Sequence, residues 1–320
     1  MPQVFVLYGP TASGKTGLAV QLAKHFDFEV INCDTMQMYH DLQVITARPT
    51  QQEMEGIPHH LYGTWAAKDR GTGPRWIEDT LPVLADVLSR GKAPLLVGGT
   101  GMYLKLLMEG FSTIPEIPDE IKEEGRARLT EIGNAQFYAE LCALDSQVKD
   151  KLDPGNSQRL CRTWEVITAT GQSIYDWQAQ NPPQKPAPYN YTVLALGQDR
   201  QWIYDRVDTR FEQMMSQGAM EEVAALAEKN LDPSLPIMRA HGVPELIALQ
   251  RGQMTHEEAI TQAQRNTRHY VKRQLTWLRQ QLTQAVVGTS IETDKNLETF
   301  ISCIKGLQGG SSSSTSDTSN

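Results

Sequence analysis

Eight residues near the amino terminus, Gly9-Pro10-Thr11-Ala12-Ser13-Gly14-Lys15-Thr16, have the spacing of a phosphate-binding loop. In such a loop the glycines let successive backbone N–H groups turn inward, and the start of the following helix adds positive potential. Lys15 then reaches the outer phosphate and Thr16 offers a hydroxyl to Mg²⁺. The cradle recognises two linked phosphates and leaves open what they are attached to. A nucleotide hydrolase would also need a strand ending in Asp or Glu to order metal and water. Here the apolar run Pro94-Leu95-Leu96-Val97 ends instead in Gly98-Gly99-Thr100-Gly101. The available carboxylate is Asp34, just after the run from Glu29 to Cys33. A loop aspartate on its own is an ordinary helix cap. Beside a phosphate cradle it is placed to take a proton as general base.

These residues need a scaffold that brings three loops together. Residues 3 to 8, 29 to 33 and 94 to 97 read as buried strands, with helices expected from about Lys15 and over 74 to 90. Alternating strands and helices imply a parallel α/β sheet, whose ligands sit beyond the carboxyl ends of the strands. The loops after Tyr8, Cys33 and Val97 should therefore share one rim. Beyond Ile114-Pro115-Glu116-Ile117-Pro118, residues 119 to 180 show helical periodicity and no convincing strand, up to the proline-rich link 181 to 186. Residues 191 to 196 resume a strand pattern, and helices follow at about 199 to 229, 243 to 250 and 255 to 280. The fold class expected is α/β, a P-loop NTPase-like parallel sheet flanked by helices with an inserted all-helical domain. Its expected parts are a first core segment at 1–112, the helical insertion at 113–186, the core continuation at 187–305 and a disordered, serine-rich tail at 306–320.

Composition narrows the class. The 320 residues carry 30 Lys and Arg against 38 Asp and Glu, a net charge of −8, which argues weakly against a nucleic-acid binder. Between Arg239 and Arg279, however, seven basic residues face three acidic ones, enough for a local positive face. No apolar run approaches the roughly 20 residues that span a bilayer, and the start of the chain lacks the basic and apolar stretches of a secretory signal. A cytoplasmic location without membrane contact is expected. Four scattered cysteines, Cys33, Cys142, Cys161 and Cys303, form no CxxC pair and read as reduced structural thiols. No heptad run calls for a partner subunit, so a monomer is expected.

The sequence resembles the tRNA dimethylallyltransferases, also called tRNA isopentenyltransferases or the IPP transferase family, over most of its length. The resemblance is carried by Gly9–Thr16, Asp34-Thr35-Met36-Gln37-Met38-Tyr39, Thr46–Pro49, Pro58–Leu61, Gly98–Tyr103, Gln158–Arg162, Arg206–Arg210, Met238–Val243 and Thr267–Gln274, in that order. It implies transfer of a dimethylallyl group from dimethylallyl diphosphate to N6 of the adenosine 3′ of the anticodon, position 37. The products would be N6-(dimethylallyl)adenosine and diphosphate, with Mg²⁺ as cofactor. By resemblance, Asp34 hydrogen-bonds the adenine amino group and accepts its proton. Thr100, Arg210 and Lys15 stand beside the diphosphate, which is held by Gly9, Pro10, Thr11, Ala12, Ser13, Gly14, Lys15 and Thr16. The resemblance assigns tRNA contact to Asp34, Thr35, Met36, Gln37, Thr100, Lys122, Gln158, Arg159, Leu160, Cys161 and Arg162. An adenine stacked in a loop reaches a sheet rim only when flipped out. A competing class, a P-loop small-molecule kinase, shares the loop and the acid after the second strand.

Other motifs read more plainly. His59-His60 point apart and have no further ligand set at suitable spacing, so a structural role is expected and zinc is not. Trp164, Trp177, Trp202 and Trp277 fall in helical patterns and belong to packing. Arg206 and Arg210 are four apart, where like charges repel slightly, which favours a bound anion near Arg210. Three positions depart from the usual family pattern: Ile45 stands for glycine, Arg48 for lysine, and His241-Gly242-Val243 occupies a common Gly-Tyr corner.

Overall fold

The computed structural model describes residues 1–310. Chain order opens with β1 (Gln3–Tyr8), α1 (Lys15–Phe26) and β2 (Phe28–Cys33), followed by α2 (Gln51–Met54), β3 (His59–His60), α3 (Gly73–Ser89), β4 (Ala93–Gly98) and α4 (Gly101–Glu109). Four helices come next, α5 (Asp119–Leu144), α6 (Val148–Lys151), α7 (Ser157–Thr170) and α8 (Ile174–Gln180). The chain then makes β5 (Asn190–Leu196), α9 (Arg200–Ser216), α10 (Ala219–Ala227), α11 (Val243–Gln250), α12 (His256–Gln281), β6 (Val286–Gly288) and α13 (Thr293–Gly310). Two compact units result, one of residues 1–108 with 187 onward, the other of residues 109–186.

The first unit is built on a six-stranded sheet in the order β3-β2-β4-β1-β5-β6, with every pair parallel. The central strands are buried nearly throughout, as parallel strands covered on both faces must be, and their sequences are continuous apolar runs for that reason. β4 lies between β2 and β1, with Gly98 level with both Cys33 and Tyr8, so the three loops expected to share a rim leave adjacent strands. A Cβ at Gly98 would collide with the Cys33 carbonyl, which is why glycine ends that strand. On one face Phe5, Leu7, Leu18, Leu22, Val30, Leu95, Leu194, Phe300 and Ile304 form a single core. Trp76 of α3 stacks on Tyr103 of α4 at 4.8 Å and donates its indole N–H to the Asn32 carbonyl.

Helix ends follow local chemistry. Thr72 caps α3 and Pro74 sits in its first turn, while Thr255 and Glu258 close a capping box on α12. The single helix expected over 199 to 229 is two, because Gly218 at φ 98° ends one and starts the other. β3 and β6, two and three residues long, escape sequence periodicity because they are shorter than one alternation can reveal. Of the tail expected at 306–320, residues 306–310 are the last turns of α13, and 311–320 lie outside the described residues.

The second unit is wholly helical among its described elements. Phe137, Leu141, Val148, Leu152, Leu160 and Trp164 form its core, and α5 breaks at Gly133, whose φ of 73° is non-helical. Among the described residues no helix is long and apolar enough to cross a membrane.

Candidate active site

The loop after β1 is held from three sides. Ser13 N–H bonds the Pro10 carbonyl at 3.3 Å, and Lys15 Nζ reaches the same oxygen at 2.7 Å, so the lysine folds back over the loop. Gly14 has φ 91° and Ala12 has φ 63°, a left-handed conformation that an alanine adopts only under constraint. The constraint is visible in the bonds. Arg206 Nε donates to the Ala12 carbonyl at 2.8 Å, the Gln198 amide donates to the Ser13 carbonyl at 3.0 Å, and Thr11 N–H donates to Gln274 Oε1 at 2.9 Å. A Cβ at Gly9 would sit 2.8 Å from Ser13 Oγ and 3.1 Å from Leu196 Cβ, so glycine is required there. The Ser13 hydroxyl is buried with no hydrogen-bond partner among the described residues.

Gln274 of α12 ties two loops together. Its Nε2 donates to the Gly99 carbonyl at 3.0 Å while its Oε1 holds Thr11, and its own carbonyl accepts from the Tyr8 hydroxyl at 3.1 Å. The sequence marked Gln274 only as the last residue of a matched motif. Glu222 of α10 is a second residue that motif reasoning missed. One carboxylate accepts the N–H groups of Gln43, Val44 and Ile45, the last two at 3.0 and 2.9 Å. Neither carries a local sequence signal, since each acts on a segment far away in the chain.

Asp34 leaves β2 directly toward this loop. Its backbone N–H bonds Asn32 Oδ1 at 2.8 Å, and its Oδ1 accepts from Met36 N–H at 3.0 Å. Thr100 Oγ1 accepts from Thr35 N–H at 3.2 Å and lies 3.4 Å from Thr35 Oγ1, which fixes it beside Asp34. Two cavities meet here. One, of about 860 Å³, is lined by Thr16 and by the four cations Lys15, Arg48, Arg206 and Arg210, against the carboxylates Asp34, Glu53 and Asp205. The other, of about 210 Å³, is lined by Ile45, Val207, Phe211, Met214 and Tyr270. Asp34 and Arg210 line both. The site is thus a cationic basin joined to an apolar chamber, with a carboxylate and a guanidinium at the junction.

Burial shapes the charges. It pulls the Lys15 ammonium down to about 8, against the attraction of Asp34 and helped by Arg210. Burial also lifts the Asp34 carboxyl above its ordinary value, opposed by Lys15, by the N–H groups of Met36 and Gln37, and by Arg210. Desolvation, and then the neighbouring Arg206, lower the Arg210 guanidinium. Arg210 makes no hydrogen bond or ion pair within bonding distance among the described residues. Asp34 offsets part of the cost for both cations and Glu53 for Arg210, and an anion in the open basin would stabilise them further.

The remaining expected residues divide clearly. Met36 lines the apolar chamber, and the Gln37 amide donates to the Thr46 and Ala47 carbonyls at 3.0 and 2.9 Å, bracing that segment. Ile45 fills the space beside Gly242, where a Cβ would lie 2.8 Å from Ile45 Cδ1, so the larger residue at 45 goes with glycine at 242. Arg48 donates to the His40 and Leu42 carbonyls, each at 3.3 Å. The His241 ring lies against Tyr270, centroids 5.0 Å apart and tilted by 43°, and burial, helped by Arg273, lowers it to about 4, which keeps it neutral near pH 7. His60 bonds Glu29 at 2.7 Å and His59 the Ile57 carbonyl at 2.8 Å.

In the helical unit, Gln158 and Arg159 are exposed, Arg162 bonds Glu165 at 3.3 Å, and Lys122 bonds Asp119 at 2.8 Å. Leu160 and Cys161, also expected to contact tRNA, are held by the interior of the helical unit. Both side chains are buried, Leu160 in the core with Phe137 and Trp164, and Cys161 Sγ 3.8 Å from the Gly125 carbonyl. Every third or fourth position of an amphipathic helix must face inward, so a five-residue run cannot present all its side chains to one partner.

Comparison with known proteins agrees with this architecture. The IPP transferase family model matches residues 37–281, and an isopentenyl transferase model matches residues 2–62. A tRNA dimethylallyltransferase of Rhodopseudomonas palustris (strain ATCC BAA-98 / CGA009) is 43% identical over 300 residues, covering 94% of each chain. Another from Bradyrhizobium sp. (strain ORS 278) is 43% identical over 279 residues, covering 87% of this chain and 91% of that one. The crystal structure of a tRNA isopentenylpyrophosphate transferase from Bacillus halodurans is similar with a TM-score of 0.71 and 30% identity, over 97% of this chain and 98% of that chain. A eukaryotic dimethylallyltransferase acting on tRNA gives 0.78 at 25% identity, over 97% and 80%. With a family model spanning well over half its length and relatives above 40% identity across nearly all of it, this chain belongs to the IPP transferase family.

Proposed function

We propose that this protein transfers a dimethylallyl group from dimethylallyl diphosphate to N6 of adenosine 37 of tRNA, yielding N6-(dimethylallyl)adenosine and diphosphate. The observation that carries the reading is the junction: a cationic basin and an apolar chamber that share Asp34 and Arg210. A diphosphate ester with a hydrocarbon tail has that same division of charge. The loop N–H groups, Lys15 and Arg210 hold the headgroup and stabilise the charge that grows on it as the C1–O bond breaks, its electron pair leaving with diphosphate. The adenine N6 lone pair forms the new C–N bond at C1, and Asp34 takes the N6 proton. Burial raises the Asp34 carboxyl above its ordinary value, which makes it a stronger proton acceptor than a solvated carboxylate. Thr100, bonded to Thr35 beside Asp34, orients the acceptor. The adenine enters flipped from its stack, and Arg159, Gln158, Lys122 and Arg162 of the helical unit supply further RNA contacts.

Mg²⁺ fits the donor set. Thr16 lines the basin beside Lys15, and its hydroxyl is an oxygen donor of the kind Mg²⁺ takes. Mg²⁺ characteristically takes one or two protein oxygens and completes its shell with substrate phosphates and water. The Thr16 hydroxyl would hold it, and it would neutralise charge on the departing diphosphate.

Incubating the protein with unmodified tRNA and either labelled dimethylallyl diphosphate or labelled ATP tests the reading. Label from the prenyl donor is expected on N6 of one adenosine, identified by mass analysis of digested nucleosides. Transfer of the ATP γ-phosphate to a small molecule, with no prenylated nucleoside, would replace this reading with a kinase.

A further inference from the structure

A second cleft opens on the sheet's carboxyl edge. It measures about 670 Å³ and lies where Gly197-Gln198-Asp199 follow β5, between the start of α9, the second half of α12 and β6. Its link to the loop after β1 is direct, because Gln198 lines the cleft and bonds the Ser13 carbonyl. Arg200, Lys272 and Arg279 line it together, the last two seven apart and so on one face of α12. All three are exposed, and none has an ion pair among the described residues. The carboxylate in the cleft, Asp199, is committed as the cap of α9, accepting from Gln201 and Trp202 N–H at 2.9 and 3.0 Å. The floor is apolar, formed by Leu275, Leu282 and Val287, the last 42% exposed on an edge strand.

Arg200, which also lies over the Tyr204 ring at 5.9 Å, Lys272 and Arg279 gather positive charge over an apolar floor on a protein whose net charge is −8, a local field that attracts a polyanion. RNA alternates phosphates with flat, largely apolar bases, matching the charged rim and the leucine floor in turn. We propose that this cleft binds a stretch of the RNA substrate remote from the reacting adenosine, its phosphates on Arg200, Lys272 and Arg279 and a base over Leu275 and Val287. The inference rests on the tRNA reading above and adds a second contact on the same rim.

The test compares full-length wild type with R200A/K272A/R279A, measuring affinity for unmodified tRNA by fluorescence anisotropy over a range of KCl concentrations. Each lost phosphate contact removes about 0.7 to 0.9 from the slope of log K against log salt, so the variant's slope should fall by about 2 to 3 and its affinity at low salt by at least about tenfold. The KM for tRNA should rise while that for dimethylallyl diphosphate holds. R200K/K272R/R279K, which keeps every charge, should restore both affinity and slope, and an unchanged thermal midpoint certifies the fold of each variant. An unchanged slope in a folded triple variant overturns the cleft while leaving the transfer reading intact, and would point to an acidic protein partner instead. Wild type that neither binds nor prenylates tRNA overturns both.

Discussion

Among single residues, Asp34 and Lys15 are two buried charges placed in opposition. Asp34 acts only as N6 begins to lose its proton, so Asp34→Asn should lower kcat by about 10²- to 10⁴-fold and tRNA affinity far less. Single-turnover rates measured beside equilibrium binding check this, and matched losses in the two would reassign Asp34 to binding. Lys15 sets the alkaline limit. Held down to about 8 by burial, its ammonium loses charge above that pH and with it the attraction for diphosphate. The pH profile of kcat/KM for the prenyl donor should therefore fall above about 8. On the acid side it should fall as Asp34 protonates, at a pH above the ordinary carboxylate range. Lys15→Arg carries a guanidinium that stays charged, so its alkaline limb should leave the accessible range. A limb unmoved in that variant would exonerate Lys15.

At the scale of elements, α12 and α13 do work that their composition does not announce. α12 reaches the loops after β1 and β4 through Gln274, a positioning residue. Gln274→Ala should raise the KM for the prenyl donor by about tenfold, since one good hydrogen bond is worth about 1–1.5 kcal/mol, while tRNA affinity holds. Gln274→Glu keeps the acceptor for Thr11 but sets a buried carboxylate against the Gly99 carbonyl, so it should raise that KM at least as far as Gln274→Ala. An unaltered KM in Gln274→Ala would mean the loops hold themselves. α13 closes the sheet's core with Phe300 and Ile304 against α1. Phe300→Ala should cost about 3–5 kcal/mol in urea unfolding, whereas a loss below about 1 kcal/mol would make α13 an appendage.

At the scale of the whole molecule, acid stability sums several buried groups of opposite sign. His241 is lowered from an ordinary 6.5 to about 4, so the unfolded chain binds its proton first and stability falls as pH drops across that window. Glu29, held to about 2 chiefly by Arg90 and also by His60, contributes stability above its ordinary 4.5 that disappears as pH falls toward 2. Asp34, raised by burial, works the other way, since its native form takes up a proton more readily than the unfolded chain does. The melting temperature should thus decline in two stages between pH 7 and 2. His241→Asn, which cannot titrate, should flatten the first stage, and calorimetry showing parallel declines in variant and wild type would remove His241 from the account.

Much of this was legible from the chain alone. The loop Gly9–Thr16, Asp34 after its strand, the Gly98-Gly99 ending of β4 and the parallel sheet are written locally, because a tight turn, a buried parallel strand and a helix start each demand particular residues within a few positions. Tertiary structure decided what depends on distance in space. Gln274 and Glu222 grip segments more than 170 residues away, Ile45 at a wall position goes with Gly242 opposite, and Leu160 and Cys161 turn inward on a helix whose motif had offered them to RNA. So did the meeting of a charged basin with an apolar chamber at Asp34 and Arg210. Local pattern records which conformations a segment prefers, whereas desolvation, charge proximity and the fit of one side chain against another arise only once the chain has closed on itself.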